Sequence, residues 1–178
     1  MNKNGKKLGI FSFLLFLLTA LFTLASHNAS AEETTPAVSV TGKFADTITI
    51  VNVSNNEGGN LNWDLAQWAT FRINATYDLA GKNVKAGDQT VVTVPDALII
   101  TSSSFEIRDI NTNEIIAHAT VDAENKKLTL TYTDYVEKHS DTNGSFFFYA
   151  RIDFKKHPQQ GEIPVVVTVN AVTKVAGK

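Results

Sequence analysis

The chain has 178 residues, a formal net charge of −2 and no cysteine. The lack of cysteine excludes disulfides, thiol nucleophiles and thiolate-bound metals. Residues 32–178 carry 13 basic and 18 acidic side chains, a net charge of 13 − 18 = −5. This negative charge argues against nucleic acid as a partner, because phosphate binding needs a positive field.

The N-terminus has the three-part pattern of a secretory signal peptide. Three lysines precede an apolar run over residues 8–24, and Ala29-Ser30-Ala31 provides a small-x-small cleavage site. We therefore predict a signal peptide over residues 1–31, a disordered leader over 32–36 and one folded domain over 37–174. An uncleaved membrane anchor is the alternative, although the apolar run is at the short limit for crossing a bilayer.

Short alternating segments fill the rest of the chain. They predict nine or ten strands with turns between them and no amphipathic helix, a pattern typical of an all-β antiparallel sandwich. Asn111-Thr112-Asn113 and Ala123-Glu124-Asn125 are the expected turns of two hairpins. The predicted strands cover residues 38–40, 46–53, 67–77, 91–94, 98–100, 105–110, 115–121, 128–133, 145–154 and 163–172.

Two of these strands have the clearest alternation. In residues 128–133 the apolar side chains Leu128, Leu130 and Tyr132 share one face and threonines occupy the other. In residues 145–154 the side chains of Phe146, Phe148, Ala150, Ile152 and Phe154 are expected to point inward. Between the two strands, the step Asn143-Gly144 predicts a turn with positive φ.

The outward-facing aromatic residues of the second strand allow two interpretations. Phe147 and Tyr149 either lie on a partly covered central strand or line a surface trough that binds a ligand. The sequence alone leaves both open.

Signatures of catalysis and metal binding are missing from the sequence. His118, His139 and His157 have no metal-ligand spacing to one another. Residues 109–114 begin like a calcium loop, but the glycine at its sixth position and the glutamate at its twelfth are absent. There is no nucleophile elbow, phosphate-binding loop or dinucleotide fingerprint. We expect a protein that is not an enzyme and that has no cofactor and no metal.

A family resemblance is carried by residues 129–137, TLTYTDYVE, which are similar to the TYTFTDYVD motif of the MSCRAMM adhesins of Gram-positive bacteria. Upstream, residues 77–88, YDLAGKNVKAGD, and 92–96, VTVPD, resemble a second segment of that family. The resemblance covers about residues 45–169. The residues identical to the motif are Thr129, Thr131, Thr133, Asp134, Tyr135 and Val136.

The resemblance implies a fold, a site and a partner. The fold is an immunoglobulin-like Greek-key sandwich of the DE-variant type. In the family, the motif lies beside a groove that accepts a strand, the latch, from a neighbouring domain, so residues 129–137 are expected to offer an unpaired edge for β-augmentation. The implied latch contacts are Thr131, Thr133, Asp134, Tyr135 and Val136.

The implied partner is a host matrix protein of the collagen or fibrinogen class, with a second Ig-like domain supplying the latch. The implied location is secreted or bound to the cell wall, although this sequence has no LPxTG sorting motif. Similar surface domains also carry a Lys–Asn isopeptide bond. Lys43, Asp78 and Asn170 occur in a suitable order, provided that Lys43 is neutral in an apolar site.

Two further functions remain open at this stage. The domain is either a spacer that contacts no ligand, or a carbohydrate-binding domain in which Trp63 and Trp68 stack on sugar rings.

Overall fold

The computed structural model describes residues 37–61, 65–66, 68–159, 161, 163, 165–169 and 172–177. The predicted signal peptide and leader, as well as Trp63 and Asn170, lie outside these residues. No helix within the described part has the length and apolar character required to cross a membrane.

The described chain is built almost entirely from strands. One 3-10 turn, Ala45–Thr47, and one helical turn, α1, Tyr135–Lys138, interrupt them. The strands are β1 Ala37–Thr41, β2 Ile48–Ser54, β3 Phe71–Asp78, β4 Gln89–Thr93, β5 Leu98–Ile100, β6 Phe105–Arg108, β7 Ile115–Asp122, β8 Lys127–Tyr132, β9 Asn143–Ile152, β10 Val165–Val169 and β11 Val172–Gly177.

The strands form two sheets that enclose one core. The larger sheet has the order β11-β10-β1-β4-β8-β7-β6, and the smaller has the order β2-β3-β9-β5. The inward faces of both sheets bury their apolar side chains, among them Ile73, Leu128 and Phe148, each at most 1 % exposed. The predicted Ig-like sandwich is therefore confirmed. Among the described strands, the parallel pairing of β1 with β10 is the one departure from an antiparallel fold.

Both predicted hairpins and the predicted faces of β8 are confirmed. The predicted faces of β9 are confirmed as far as Ile152, whereas Phe154 lies beyond the end of the strand and is partly buried. β6 pairs with β7, and β7 pairs with β8, through turns that contain the positive-φ residues Asn113 and Lys126. Several strand boundaries were predicted wrongly, among them those of β3 and of the C-terminal strand. The single C-terminal strand is two strands, β10 and β11, and β3 begins at Phe71 because Trp68 lies in a turn with φ 71°.

The step Asn143-Gly144 is not a turn, contrary to the sequence prediction. Both residues begin β9, where Gly144 pairs with Tyr77 and Asn143 pairs with Asp78. The reversal of the chain is made instead by α1 and the residues after it. The glycine is required by close packing, because a Cβ at position 144 would lie 2.6 Å from the hydroxyl oxygen of Tyr77.

Tyr135 of the helical turn α1 forms hydrogen bonds with the β6–β7 hairpin. The Tyr135 hydroxyl donates to Oδ2 of Asp109 at 2.7 Å and lies 3.1 Å from the hydroxyl of Thr112. The Tyr135 ring stacks on His139, with 4.0 Å between ring centroids. The Tyr135 hydrogen bond, together with the backbone N–H of Asn111, holds the pKa of Asp109 below its usual value.

Replacing Gly144 by alanine should destabilise the fold. Tyr77 is buried and too close to a new methyl group, so β9 or Tyr77 must shift at a cost of about 1–3 kcal/mol. Thermal or urea unfolding measures this loss. Gly161→Ala is the matched control, because nothing lies within 4 Å of a Cβ at that position. Equal stability of the two variants would contradict the packing argument.

Replacing Tyr135 by phenylalanine should lower the melting temperature, and the difference from wild type should depend on pH. Because the pKa of Asp109 is lowered in the folded state, its contribution is present above the unfolded value of about 3.9 and is lost as the pH falls through the folded value. The difference should therefore be constant between about pH 6 and about pH 5 and narrow as the pH falls below about 4 towards about 3.

Melting curves of both proteins across that pH range measure the effect. Tyr149→Phe is the control, because the Tyr149 hydroxyl makes no hydrogen bond to a described residue. A difference that stays constant with pH would show that the Tyr135–Asp109 bond does not depend on the Asp109 charge.

Candidate ligand-binding groove

The candidate site lies where β9 extends beyond its neighbour β5. β9 has ten residues and pairs with β3 from Asn143 to Ala150. On its other side, β5 pairs only with the last three residues of β9, from Ala150 to Ile152. The N-terminal half of β9 therefore has a strand neighbour on one side only within the described chain.

The main-chain groups on this open side can be identified from the hydrogen bonds of Tyr149. Its carbonyl accepts from the N–H of Thr101 at 2.9 Å, and its N–H donates to the hydroxyl of Ser102 at 2.8 Å. Main-chain groups alternate in direction along a strand, so those of Phe147 and Ser145 point to the same side. Neither residue has a hydrogen-bond partner on that side among the described residues.

The opposite wall is a second open strand. Within the described chain, β6 pairs with β7 alone and forms one edge of the larger sheet. All four residues of β6 and the preceding residues 101–104 line a groove of 860 Å³ that also contacts Ser145 and Phe147. Two unpaired strand margins, one from each sheet, therefore border the same groove.

The side chains that line the groove form an apolar part and an aromatic part. Phe146 and Ile107 face the gap between the sheets and are buried. On the outer face, Phe147 is 39 % exposed and its ring meets the Tyr149 ring edge-on, with 5.5 Å between centroids. Arg72 does not line the groove, but its guanidinium carbon lies 4.0 Å from the Phe147 ring centroid. The groove thus offers main-chain hydrogen bonds and apolar contacts together.

The expectation that residues 129–137 leave an unpaired strand edge is wrong. β8 pairs with β4 on one side, Thr131 opposite Gln89, and with β7 on the other, Thr131 opposite His118. The β6–β7 hairpin extends the sheet past β8, so the threonine face is the surface of an interior strand. The open margin belongs to β9, the next strand of the chain.

The residues predicted as latch contacts have partners within the domain. Thr131 accepts a hydrogen bond from the Gln89 amide at 3.2 Å. The Thr133 hydroxyl donates to main-chain carbonyls of β7, including that of Ile116 at 3.1 Å. Tyr135 and Val136 are buried, and Asp134 is exposed. Their assignment as latch contacts stays a prediction, whereas Phe147 and Tyr149 line the groove itself.

The isopeptide prediction also remains a prediction. Lys43 is exposed, and its ammonium group lies 5.1 Å from the centroid of the Phe44 ring, so the required apolar burial is not present at that side chain. Asp78 is exposed and accepts a hydrogen bond from the N–H of Ala80 at 3.0 Å. Asn170 lies outside the described residues.

Two buried tyrosines of the core have raised pKa values. Burial raises the pKa of Tyr77 to about 12 and also raises that of Tyr132. Both hydroxyls are packed within the sandwich, away from the groove. In the described part of the chain, no three His, Cys, Asp or Glu side chains are grouped closely enough to hold a metal ion.

Sequence reasoning identified Phe147 and Tyr149 but missed β6, Arg72 and the open margin of β9. One signal was available in the predicted strand lengths. A strand of three residues, 98–100, can form main-chain hydrogen bonds with only part of a neighbouring strand ten residues long. However, the strand lengths do not show that β5 is the neighbour of β9, which only the sheet order reveals.

Comparison with known proteins finds similarity to staphylococcal proteins. It is 38 % identical to the fibrinogen-binding protein of Staphylococcus epidermidis over 88 residues, covering 47 % of this chain and 8 % of that protein. It is 31 % identical to the serine-aspartate repeat-containing protein E of Staphylococcus aureus strain MSSA476 over 100 residues, covering 53 % and 8 %. The matched segment is therefore a small part of these relatives, and their similarity confirms the predicted resemblance to MSCRAMM adhesins.

A solved structure supports the fold. The serine-rich repeat adhesion glycoprotein Srr1 of Streptococcus agalactiae superposes with a TM-score of 0.51 at 16 % identity, covering 72 % of this chain and 49 % of that one. The sequence model described as a bacterial Ig domain matches residues 64–162, more than half of the chain. The chain therefore belongs to the bacterial Ig domain family.

Proposed function

We propose that this chain is an exported adhesin domain of the bacterial cell surface that binds an extended segment of a host matrix protein in the groove between β6 and β9. Docking is non-covalent, and the protein is not an enzyme. The observation that carries the proposal is the pair of open strand margins, from β6 and β9, that border one groove. The relatives named for fibrinogen binding and adhesion favour the same function.

The proposed mode of binding is β-augmentation. An extended segment beside β9 pairs with the exposed N–H and carbonyl groups of Ser145 and Phe147. Its side chains then alternate between the two faces of the smaller sheet. One set enters the apolar gap beside Phe146 and Ile107, and the other set packs against the rings of Phe147 and Tyr149. The main chain supplies affinity, and the alternating contacts supply selectivity.

The groove chemistry favours binding over catalysis. Its two charged residues on β6, Glu106 and Arg108, form an ion pair with each other. The other lining groups of the groove are hydroxyl, amide, aliphatic and aromatic side chains. Such a lining holds a polypeptide by contact and provides neither an activated nucleophile nor an acid–base pair.

Fibrinogen is the first partner to test, because a relative carries that activity in its name. Collagen is the second, and a strand from a second Ig-like domain is an occupant that would close the groove over a bound ligand. A domain that binds none of these would be a spacer, which makes the spacer hypothesis the alternative outcome of the binding experiment.

Replacing Phe147 by alanine should weaken binding to fibrinogen by about tenfold while leaving the fold intact. The ring is partly exposed, so its loss removes contact area in the groove and little core packing. Surface plasmon resonance on immobilised fibrinogen, with a collagen channel beside it, measures the change.

Ile110→Ala is the matched control, since Ile110 is 96 % exposed and lies outside the groove. Saturable binding that is equally strong in both variants would place the contact elsewhere. Absence of binding by the wild-type protein to either matrix protein would favour the spacer.

Hydrogen exchange should distinguish strand addition from contact with a sheet face. In the unliganded protein, the amides of Ser145 and Phe147 should exchange rapidly, while those of Phe146 and Phe148, which face β3, should be protected. Ligand should slow exchange at Ser145 and Phe147 in particular. NMR-detected exchange with and without ligand measures this pattern, and binding that leaves both amides unprotected would exclude β-augmentation along β9.

A further inference from the structure

A second surface, on the outer face of the smaller sheet, carries a row of aromatic rings and arginines. We propose that this row binds a carboxylate-bearing glycan. We call it the aromatic–arginine stripe, and it consists of Phe147, Arg72, Tyr149, Arg151 and Trp68. It follows β9 away from the groove, and Arg72, Arg151 and Trp68 do not line the groove. The proposal does not depend on the matrix-protein function.

The stripe is ordered by stacking between cations and rings. The guanidinium carbon of Arg72 lies 4.0 Å from the Phe147 ring centroid and 5.7 Å from that of Tyr149. Further along, the guanidinium carbon of Arg151 lies 4.5 Å from the Trp68 ring centroid. Stacking of this kind restricts the plane of each guanidinium and occupies its face rather than its edge.

The two arginines of the stripe differ from the third arginine of the chain. Arg108 pairs with Glu106, whereas no carboxylate of a described residue lies within 4.0 Å of Arg72 or Arg151. The Nε atom of Arg72 is buried and has no hydrogen-bond partner among the described residues, so a ligand would meet the terminal nitrogens of this side chain. In a protein whose overall charge is negative, this places two cations on one face where an anion would complement them.

Trp68 adds an open stacking surface at the end of the stripe. Trp68 is 59 % exposed, although the Phe154 ring meets its ring edge-on with 6.5 Å between the ring centroids. Its backbone has φ 71°, a conformation that is unfavourable for a bulky side chain. A strained, exposed tryptophan beside an arginine is the kind of feature that function explains better than packing does.

The main chain under the stripe favours a glycan over a peptide. Tyr149 pairs with Arg72 of β3, and on its other side its N–H and carbonyl bond to residues 102 and 101. Arg151 pairs with Ile99 of β5. A peptide would therefore find no unpaired strand edge on the β5 side of Tyr149 and Arg151. A sugar needs none, because its C–H face packs on aromatic rings and its carboxylate accepts paired hydrogen bonds from a guanidinium.

The side-chain amides of Asn74 and Asn52, next to the stripe, could hydrogen-bond to the hydroxyl groups of a sugar. Asn74 lies beside the stripe on β3 and donates to Oδ1 of Asn52 and to the hydroxyl of Ser54, both at 2.9 Å. Asn52 is exposed. Amide groups held in this way are suitable donors and acceptors for sugar hydroxyls.

Calorimetric titration of the purified protein with defined oligosaccharides tests the proposal. The probes are a hyaluronan octasaccharide and sialyllactose, which carry carboxylates from uronic acid and sialic acid respectively, and a neutral chitin oligosaccharide. We expect binding to at least one carboxylated probe that is at least about tenfold tighter than binding to the neutral one. The preferred carboxylated probe identifies the source of the carboxylate.

Three variants and a control connect that binding to the stripe. Arg151→Gln removes the cation, Arg151→Lys keeps the charge but removes the planar fork, and Trp68→Asn removes the ring with a residue that tolerates positive φ. Each should weaken binding about tenfold. Lys85→Gln removes an exposed cation outside the stripe and should change nothing. Melting curves confirm that each variant is folded.

Several outcomes would overturn the proposal. They are the absence of binding to either carboxylated probe, equal binding of the neutral probe, and variants that are folded and bind as well as wild type. Binding of poly-glutamate without binding of any sugar would show that the stripe takes an acidic peptide instead. Loss of fibrinogen binding in Phe147→Ala has no bearing on the Trp68 and Arg151 results, so the two proposals fail separately.

Discussion

The hydrogen bonding of β9 is the constraint on which the rest of this structure depends. On its β3 side the strand is paired along eight residues, from Asn143 to Ala150. On its β5 side only three residues are paired, because β5 itself has only three. Proteins usually protect such an open margin with charge, proline or a covering loop. Here the margin faces a groove whose other wall is a second unpaired strand, β6, and it retains the aromatic residue Phe147 at its centre.

The same strand serves the core and two surfaces because its side chains alternate. Phe146 and Phe148 point inward and are buried, while Phe147 and Tyr149 point outward beside the guanidinium of Arg72. At its N-terminal half β9 borders the groove, and at its C-terminal half it carries Arg151 of the aromatic–arginine stripe. Gly144 allows this arrangement, since any side chain at that position would collide with the buried Tyr77 that anchors β9 to β3.

The motif that carried the family resemblance has an architectural role in this structure. Thr133 and Tyr135 join the end of β8 to the β6–β7 hairpin through the carbonyl of Ile116 and the carboxylate of Asp109. In this way the motif positions β6, which forms one wall of the groove. The threonine strand was expected to accept an added strand because its side chains are small. It does not, because small outward side chains say nothing about whether the strand's two margins are already paired.

The sequence by itself determined the sandwich, the two hairpins and the inward and outward faces of β8 and β9, because period-2 alternation and turn residues are local properties. It also identified Phe147 and Tyr149 as outward aromatic residues. Only the tertiary structure decided that β8 is interior, that β9 extends beyond β5, that Gly144 lies against Tyr77, and that Arg72 and Arg151 stack on rings. These features depend on which strands are neighbours, and sheet order is set by contacts between residues far apart in the chain, which no local pattern encodes.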